Sequence, residues 1–339
     1  MIARKSVVAL LLLLGVSISL HAQKLSSEDY MEVRKRKLIV MIEEPREDVI
    51  KKLTKSSEQN SIDVYKGDLK ALNENMRQVV AKFWSYNKAD IQFKNIEEIK
   101  ALSKTGTEEY VVLACVSTTP DNLYALKFNQ GIDWSIDINK NQKVGDRSIT
   151  AITISKIEDF GKRQVGTAAL FDLLPSKASL VCGLRDIRCY DEPRKPTVDE
   201  NGNPIPKTKW KPGQLSEKTL LIREEWLDEE LTSENLKKYY PYPYEICTRE
   251  FMDEVVMDLN SKYAYGVMKP EIHSSYKAPV RPGFSSGKPM FCGLIIDATD
   301  SFTLHQVCGL HSDFTIKDIQ KIAEQSKAKD AKTKQSSTD

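Results

Sequence analysis

The sequence predicts an α/β or α+β fold made of two loosely similar sheet-and-helix units, each a mixed sheet with packed helices. Three features of the 339 residues carry this expectation. Strand-like apolar runs alternate with stretches of helical periodicity, the alternation occurs twice, and a stretch holding five prolines separates the two occurrences.

In the first half, residues 37–44 (KLIVMIEE) form an apolar β-like run closed by two glutamates. A helix follows, with Leu69, Leu72, Met76, Val79, Val80 and Phe83 on one face and Asp68 as its expected cap. It ends in the aromatic cluster FWSY. Ile91 and Phe93 mark a short strand, and Asn95 with Glu98 forms a capping box for a helix whose inner face is Ile96, Ile99 and Leu102. YVVLACV reads as a buried strand, LYALKF, IDWSIDI and SITAITISKI as further strands, and residues 178–190 as a closing helix.

The second half repeats this order. Residues 218–225 (KTLLIREE) follow the pattern of residues 37–44, and SENL at 233–236 echoes NENM at 73–76. The helix here is short because Pro241 stops it. After YYPYPY, Ile246 marks a strand, Thr248 is the expected cap, and Phe251, Val255 and Leu259 supply a helix face. YAYGVM, PMFCGLIID and FTLHQVC read as strands and residues 313–325 as the last helix. An internal duplication is the reading of these matches.

The boundaries follow from composition. Residues 1–22 read as a signal peptide, with Arg4 and Lys5 ahead of the apolar run 7–20, and cleavage is expected near Ala22. A leader ending in His-Ala-Gln resembles those of exported proteins of Bacteroidota-type bacteria, which implies a periplasmic or secreted chain and nothing about activity. The first α/β unit is expected over 23–190 and the second over 217–325. Between them, 191–216 is a proline-rich linker or protruding loop, and 326–339 lacks apolar periodicity and reads as a disordered tail.

Several function classes are disfavoured at once. With 29% charged residues, 40% hydrophobic residues and a mean hydropathy of -0.42, a membrane-embedded body is excluded. Without the two cations of the leader, Lys and Arg balance Asp and Glu, so no grip on nucleic-acid phosphates is expected. No P-loop, G-x-G-x-x-G, G-x-S-x-G or HExxH stands in the chain, and no cofactor is expected.

Six cysteines in an exported protein invite disulfides. Cys182 and Cys189 lie on a helical pattern that holds them about 10 Å apart, so they bond only if that segment is a hairpin. Cys115 sits in a buried strand as a small hydrophobe, and Cys292 with Cys308 is the favoured pair. The densest polar stretch is 297–313, DATDSFTLHQVCGLHSD, where His305, Cys308 and His311 are candidate metal ligands by residue type. On an extended strand Cys308 points away from both histidines, so convergence requires a turn at Gly309. Cys308 is also the candidate nucleophile, although nothing in the sequence supplies an oxyanion hole.

Two further patterns read as structural. Glu43 and Glu44, echoed by Glu224 and Glu225, are adjacent carboxylates that a strand sends to opposite faces. Tyr239, Tyr240, Tyr242 and Tyr244 are expected to cover the start of the second sheet. The expectation is an exported, non-catalytic binding or assembly module of the bacterial envelope, meeting an envelope protein or ligand. The alternative is an exported hydrolase or metal-dependent enzyme using residues 297–313.

Overall fold

The computed structural model describes residues 32–55, 61–84, 86, 88–118, 149–189, 215–232, 234–271, 290–301, 303–309 and 311–335. The leader, the LYALKF and IDWSIDI segments and residues 191–214 lie outside the described residues. The first unit runs β1 (Lys37–Met41), α1 (Glu47–Lys55), α2 (Ser61–Phe83), β2 (Gln92–Lys94), α3 (Ile96–Ser103), β3 (Tyr110–Thr118), β4 (Ile149–Lys156), β5 (Gly166–Ala169) and α4 (Lys177–Cys189). The second runs β6 (Thr219–Arg223), α5 (Leu236–Tyr239), β7 (Tyr244–Cys247), α6 (Arg249–Met257), β8 (Tyr263–Glu271), β9 (Met290–Asp297), β10 (Thr303–Gly309) and α7 (Ile316–Gln335).

Among the described residues each unit holds one five-stranded mixed sheet, and the two strand orders are the same: β2-β1-β3-β4-β5 and β7-β6-β8-β9-β10. The directions agree as well. β1 is parallel to β2 and β3, as β6 is to β7 and β8, and the remaining pairs are antiparallel. The repeat read from the sequence is therefore present in the geometry, with one shift. Lys37 stands opposite Tyr110 and Thr219 opposite Tyr263, and each tyrosine lies equally far beyond the cap of the preceding helix, Asn95 or Thr248. Lys37 thus corresponds to Thr219 and not to Lys218, which moves the glutamate pairs out of register by one residue.

Both expected caps form. The Asn95 side chain accepts from Glu98 N while Glu98 accepts from Asn95 N, and the Thr248 side chain accepts from Phe251 N. Asp68 is not a cap, because α2 begins at Ser61. Tyr65 extends the buried stripe of Leu69, Leu72 and Met76 one turn earlier, which carries the helix past Asp68. Helix α1, absent from the sequence reading, is short and buries only Val49. Helix α7 continues to Gln335, beyond the expected end at 325, because Ser326 prolongs the buried row of Ile319, Ile322 and Ala323.

Right-handed crossovers put α2 and α3 on opposite faces of the first sheet. Met76 of α2 meets Cys115 at 3.6 Å, and Cys115 pairs with Ile152, which packs under Gly183 of α4. A Cβ at Gly183 would fall 2.4 Å from Leu170 Cδ2, so the helix lies tightly on its sheet. The other side of α4 reaches the second unit: Asp186 pairs with Lys269 of β8, and Arg185 donates to Thr303 Oγ1 of β10 at 3.1 Å. From Ala178 to Leu184 every residue of α4 is buried. One apolar cluster runs through both units.

Candidate functional site

The residues singled out in 297–313 do not assemble a reactive centre. Cys308 is disulfide-bonded to Cys292, its direct partner across β9 and β10. A disulfide sulfur is neither a thiolate ligand nor a nucleophile, so Cys308 leaves both candidate roles. His305 is buried beneath α7, where burial holds its pKa below the ordinary value and Gln325 and Asp318 act against that shift. His311 is exposed, with Nδ1 2.8 Å from Asp313 O and Nε2 3.6 Å from Asp318. The two imidazoles thus border Asp318, which itself caps α7 by accepting from Thr315 N at 3.0 Å. Among the described residues no three His, Cys, Asp or Glu side chains gather as a metal ion would require.

The segment that joins β5 to α4 is gripped by groups from α2 and from the second unit. Arg223, at the carboxyl end of β6, donates to Asp172 Oδ1 at 2.8 Å and to Glu225 Oε1 at 2.7 Å. Arg223 and Asp172 are each about 1% exposed, and the Arg223 guanidinium lies 4.0 Å from the Trp226 ring. Asn75 of α2 donates to Pro175 O, and Arg249 of α6 donates to Leu174 O. Asp253 of α6 accepts from Lys177 N at 3.0 Å and Ala178 N at 2.8 Å, capping α4 across the unit boundary. In the second unit the corresponding carboxylate is internal: Asp318 follows Thr315 as Ser179 follows Ser176. Desolvation raises the Asp253 pKa, and the two backbone N–H groups it accepts from act against that shift.

Beside this segment opens a cleft of about 900 Å³. Helix α2 contributes Asp68, Ala71, Leu72 and Asn75, and the start of α4 contributes Leu174 and Lys177. The carboxyl ends of β6 and β7 bring Glu224, Glu225, Cys247 and Thr248. Arg249, Glu250, Asp253, Glu254, Met257 and Asp258 form the α6 wall. Seven carboxylates therefore face two cations. The place has a topological cause, since parallel neighbours leave the sheet in opposite directions and open a crevice at their carboxyl ends.

This corrects the reading of Glu224 and Glu225 as strand-end residues on opposite faces. They stand past β6 in a 3-10 turn, Glu224–Trp226, so strand alternation does not apply, and both line the cleft. Glu43 and Glu44 do not take part. The tyrosines do cover the second sheet: Tyr240 is fully buried and stacks edge-on against Tyr242 and Tyr244. The readable signal for the cleft was the row Glu250, Glu254, Asp258, whose four-residue spacing places all three on one face of α6.

Compared with protein-family models, with curated proteins and with solved structures, the chain matches none.

Proposed function

We propose that the protein is a non-catalytic binding module of the bacterial envelope whose ligand occupies the cleft between its two units. The observation that carries this reading is the cleft itself: a cavity of about 900 Å³ at the strand carboxyl ends, walled by α2 of one unit and α6 of the other. The grip of Asn75, Arg223, Arg249 and Asp253 on the segment 172–178 holds both walls in place before a ligand arrives, which lowers the ordering cost of binding. The export signal read at residues 1–22 supports the envelope as the compartment.

Two measurements test it. Fractionation with intact-mass analysis should find the chain starting near Gln23 in the periplasmic or secreted fraction. Equilibrium dialysis of a mixed peptide and saccharide library against the protein and its Ala71→Trp variant should show ligands retained by the first, unaltered in mass, and lost by the second. Ala71 is exposed on α2, so the tryptophan fills the mouth of the cleft without entering the core. Ligands returned cleaved would refute the non-catalytic reading, and equal retention by the variant would move the site elsewhere.

A further inference from the structure

We infer that the occupant of the cleft is an extended basic segment of a partner protein, with lysine or arginine at alternate positions. This rests on the cleft being the ligand site. Glu250, Glu254 and Asp258 stand four residues apart along α6, so neighbouring carboxylates are separated by about 6 Å along the axis. In an extended chain every second side chain points the same way, and those side chains are about 6.6 Å apart. The two repeats match, so a Lys-x-Lys-x-Lys strand laid along α6 meets one carboxylate with each cation.

Like charges at four-residue spacing destabilise a helix. None of these three has an ion-pair partner among the described residues, as is also true of Asp63, Asp90 and Glu108, whereas Glu97 pairs with Lys100, Glu109 with Lys37 and Asp48 with Arg46. The opposite wall adds Asp68, and the end of β6 adds Glu224, so charge is spread along the cleft rather than focused at one point. A distributed field of one sign suits a polycation and gives a compact divalent ion no shell of ligands. Leu72, Leu174 and Met257 line the cleft beside the carboxylates. The Cys247 thiol is 9% exposed, forms no disulfide and is pushed up to about 12 by burial, so it lines the cleft as an uncharged group. Apolar side chains between the cations would rest there, and the cleft volume exceeds what a thin aliphatic polyamine fills.

The test uses the whole chain with Ala71→Cys carrying an environment-sensitive fluorophore, corrected for label taken up by the unsubstituted protein. The probe is a synthetic peptide of about ten residues alternating lysine with serine or leucine, which reaches about 33 to 36 Å when extended. The expected result is saturable binding that weakens at least tenfold in Glu250→Gln/Glu254→Gln/Asp258→Asn and falls steeply with salt. A Glu97→Gln/Glu108→Gln/Glu109→Gln control on the first unit should bind within twofold of the original. If neutral or acidic peptides move the fluorophore and the basic one does not, the cleft remains the ligand site and the charge assignment is wrong. Silence to every probe would sink both readings, and basic-peptide binding unchanged in the triple variant would overturn the charge assignment. Saturation by spermine at equal affinity would replace the peptide by a small polyamine and overturn the assignment. So would a fluorophore shift caused solely by Lys207→Ser/Lys209→Ser/Lys211→Ser, since the occupant would then be the chain's own K-T-K-W-K stretch.

Discussion

Leu259 offers a measurement in which backbone conformation is almost the sole variable. It ends α6 with φ +53°, its N–H bonding back to Val256 O and that of Asn260 to Val255 O, the pair of bonds that closes a helix through a left-handed residue. Gly106 occupies the same position in the first unit, equally far beyond Asn95 as Leu259 is beyond Thr248, with φ +73°. A non-glycine residue in this region costs about 1 to 2 kcal/mol, while a glycine concedes about 0.4 to 1 kcal/mol through its freer unfolded chain. Leu259 is 38% exposed and stands outside the apolar cluster, so its truncation forfeits little burial. Leu259→Gly should therefore raise stability by about 0.5 to 1 kcal/mol. Gly106→Leu should lower it by a similar amount, since no atom lies within 4 Å of a Cβ placed there. Urea unfolding of both variants, with unchanged m, reads these shifts as opposite displacements of Cm. A loss of stability on Leu259→Gly would refute the reasoning, because it would mean that the side chain contributes more than the strain removes.

The remaining expectations concern the joint between the units and its surroundings. Asp253→Asn should cost about 1 to 2 kcal/mol in thermal unfolding by uncapping α4. Arg223→Ala leaves Asp172 buried without its partner and should cost about 3 to 5 kcal/mol, whereas Arg223→Met/Asp172→Leu should fall much closer to the original. Because burial lowers the His305 pKa below its free value of 6.5, the unfolded chain takes up the proton first. Stability should therefore be intact above pH 6.5 and decline as the pH falls through the lower folded value, with a flatter profile in His305→Gln. Trypsin should cut at Lys195, Lys207, Lys209 or Lys211 if the expected linker is exposed, and the two fragments should elute together from a sizing column, because the Arg223–Asp172 pair and the Asp253 cap join them independently of residues 191–214.

Local signals were legible where one segment carries its own explanation. Asn95 with Glu98 and Thr248 with Phe251 are bonds within four residues, and the strand YVVLACV declares burial in its composition. The pairing of Cys292 with Cys308 was readable because two neighbouring strands place them face to face. The start of α2 was misjudged because Asp68 has a capping side chain, yet Tyr65 decides the matter by packing across the fold. The glutamate repeat misled by one residue, since letters alone do not report which strand partner sets the register. Apart from the α6 row Glu250, Glu254 and Asp258, the cleft lay beyond sequence reasoning for a deeper cause. Its walls are Asp68, Leu174, Glu225 and Glu250, brought together only when α4 docks between two sheets.

Helix α4 also differs from its counterpart α7 in what it offers a neighbouring unit. Counted from their caps, Ser176 and Thr315, the positions that α4 buries as Ala178, Val181 and Cys182 are Lys317, Gln320 and Lys321 in α7, all exposed. A modular chain grows when each module offers a greasy seat to its successor and stops when one offers a wet surface. Here the first unit offers such a seat through α4, and the second offers a polar face through α7. Replacing those three polar side chains by Ala, Val and Cys would give α7 an apolar seat like that of α4, through which molecules would find one another.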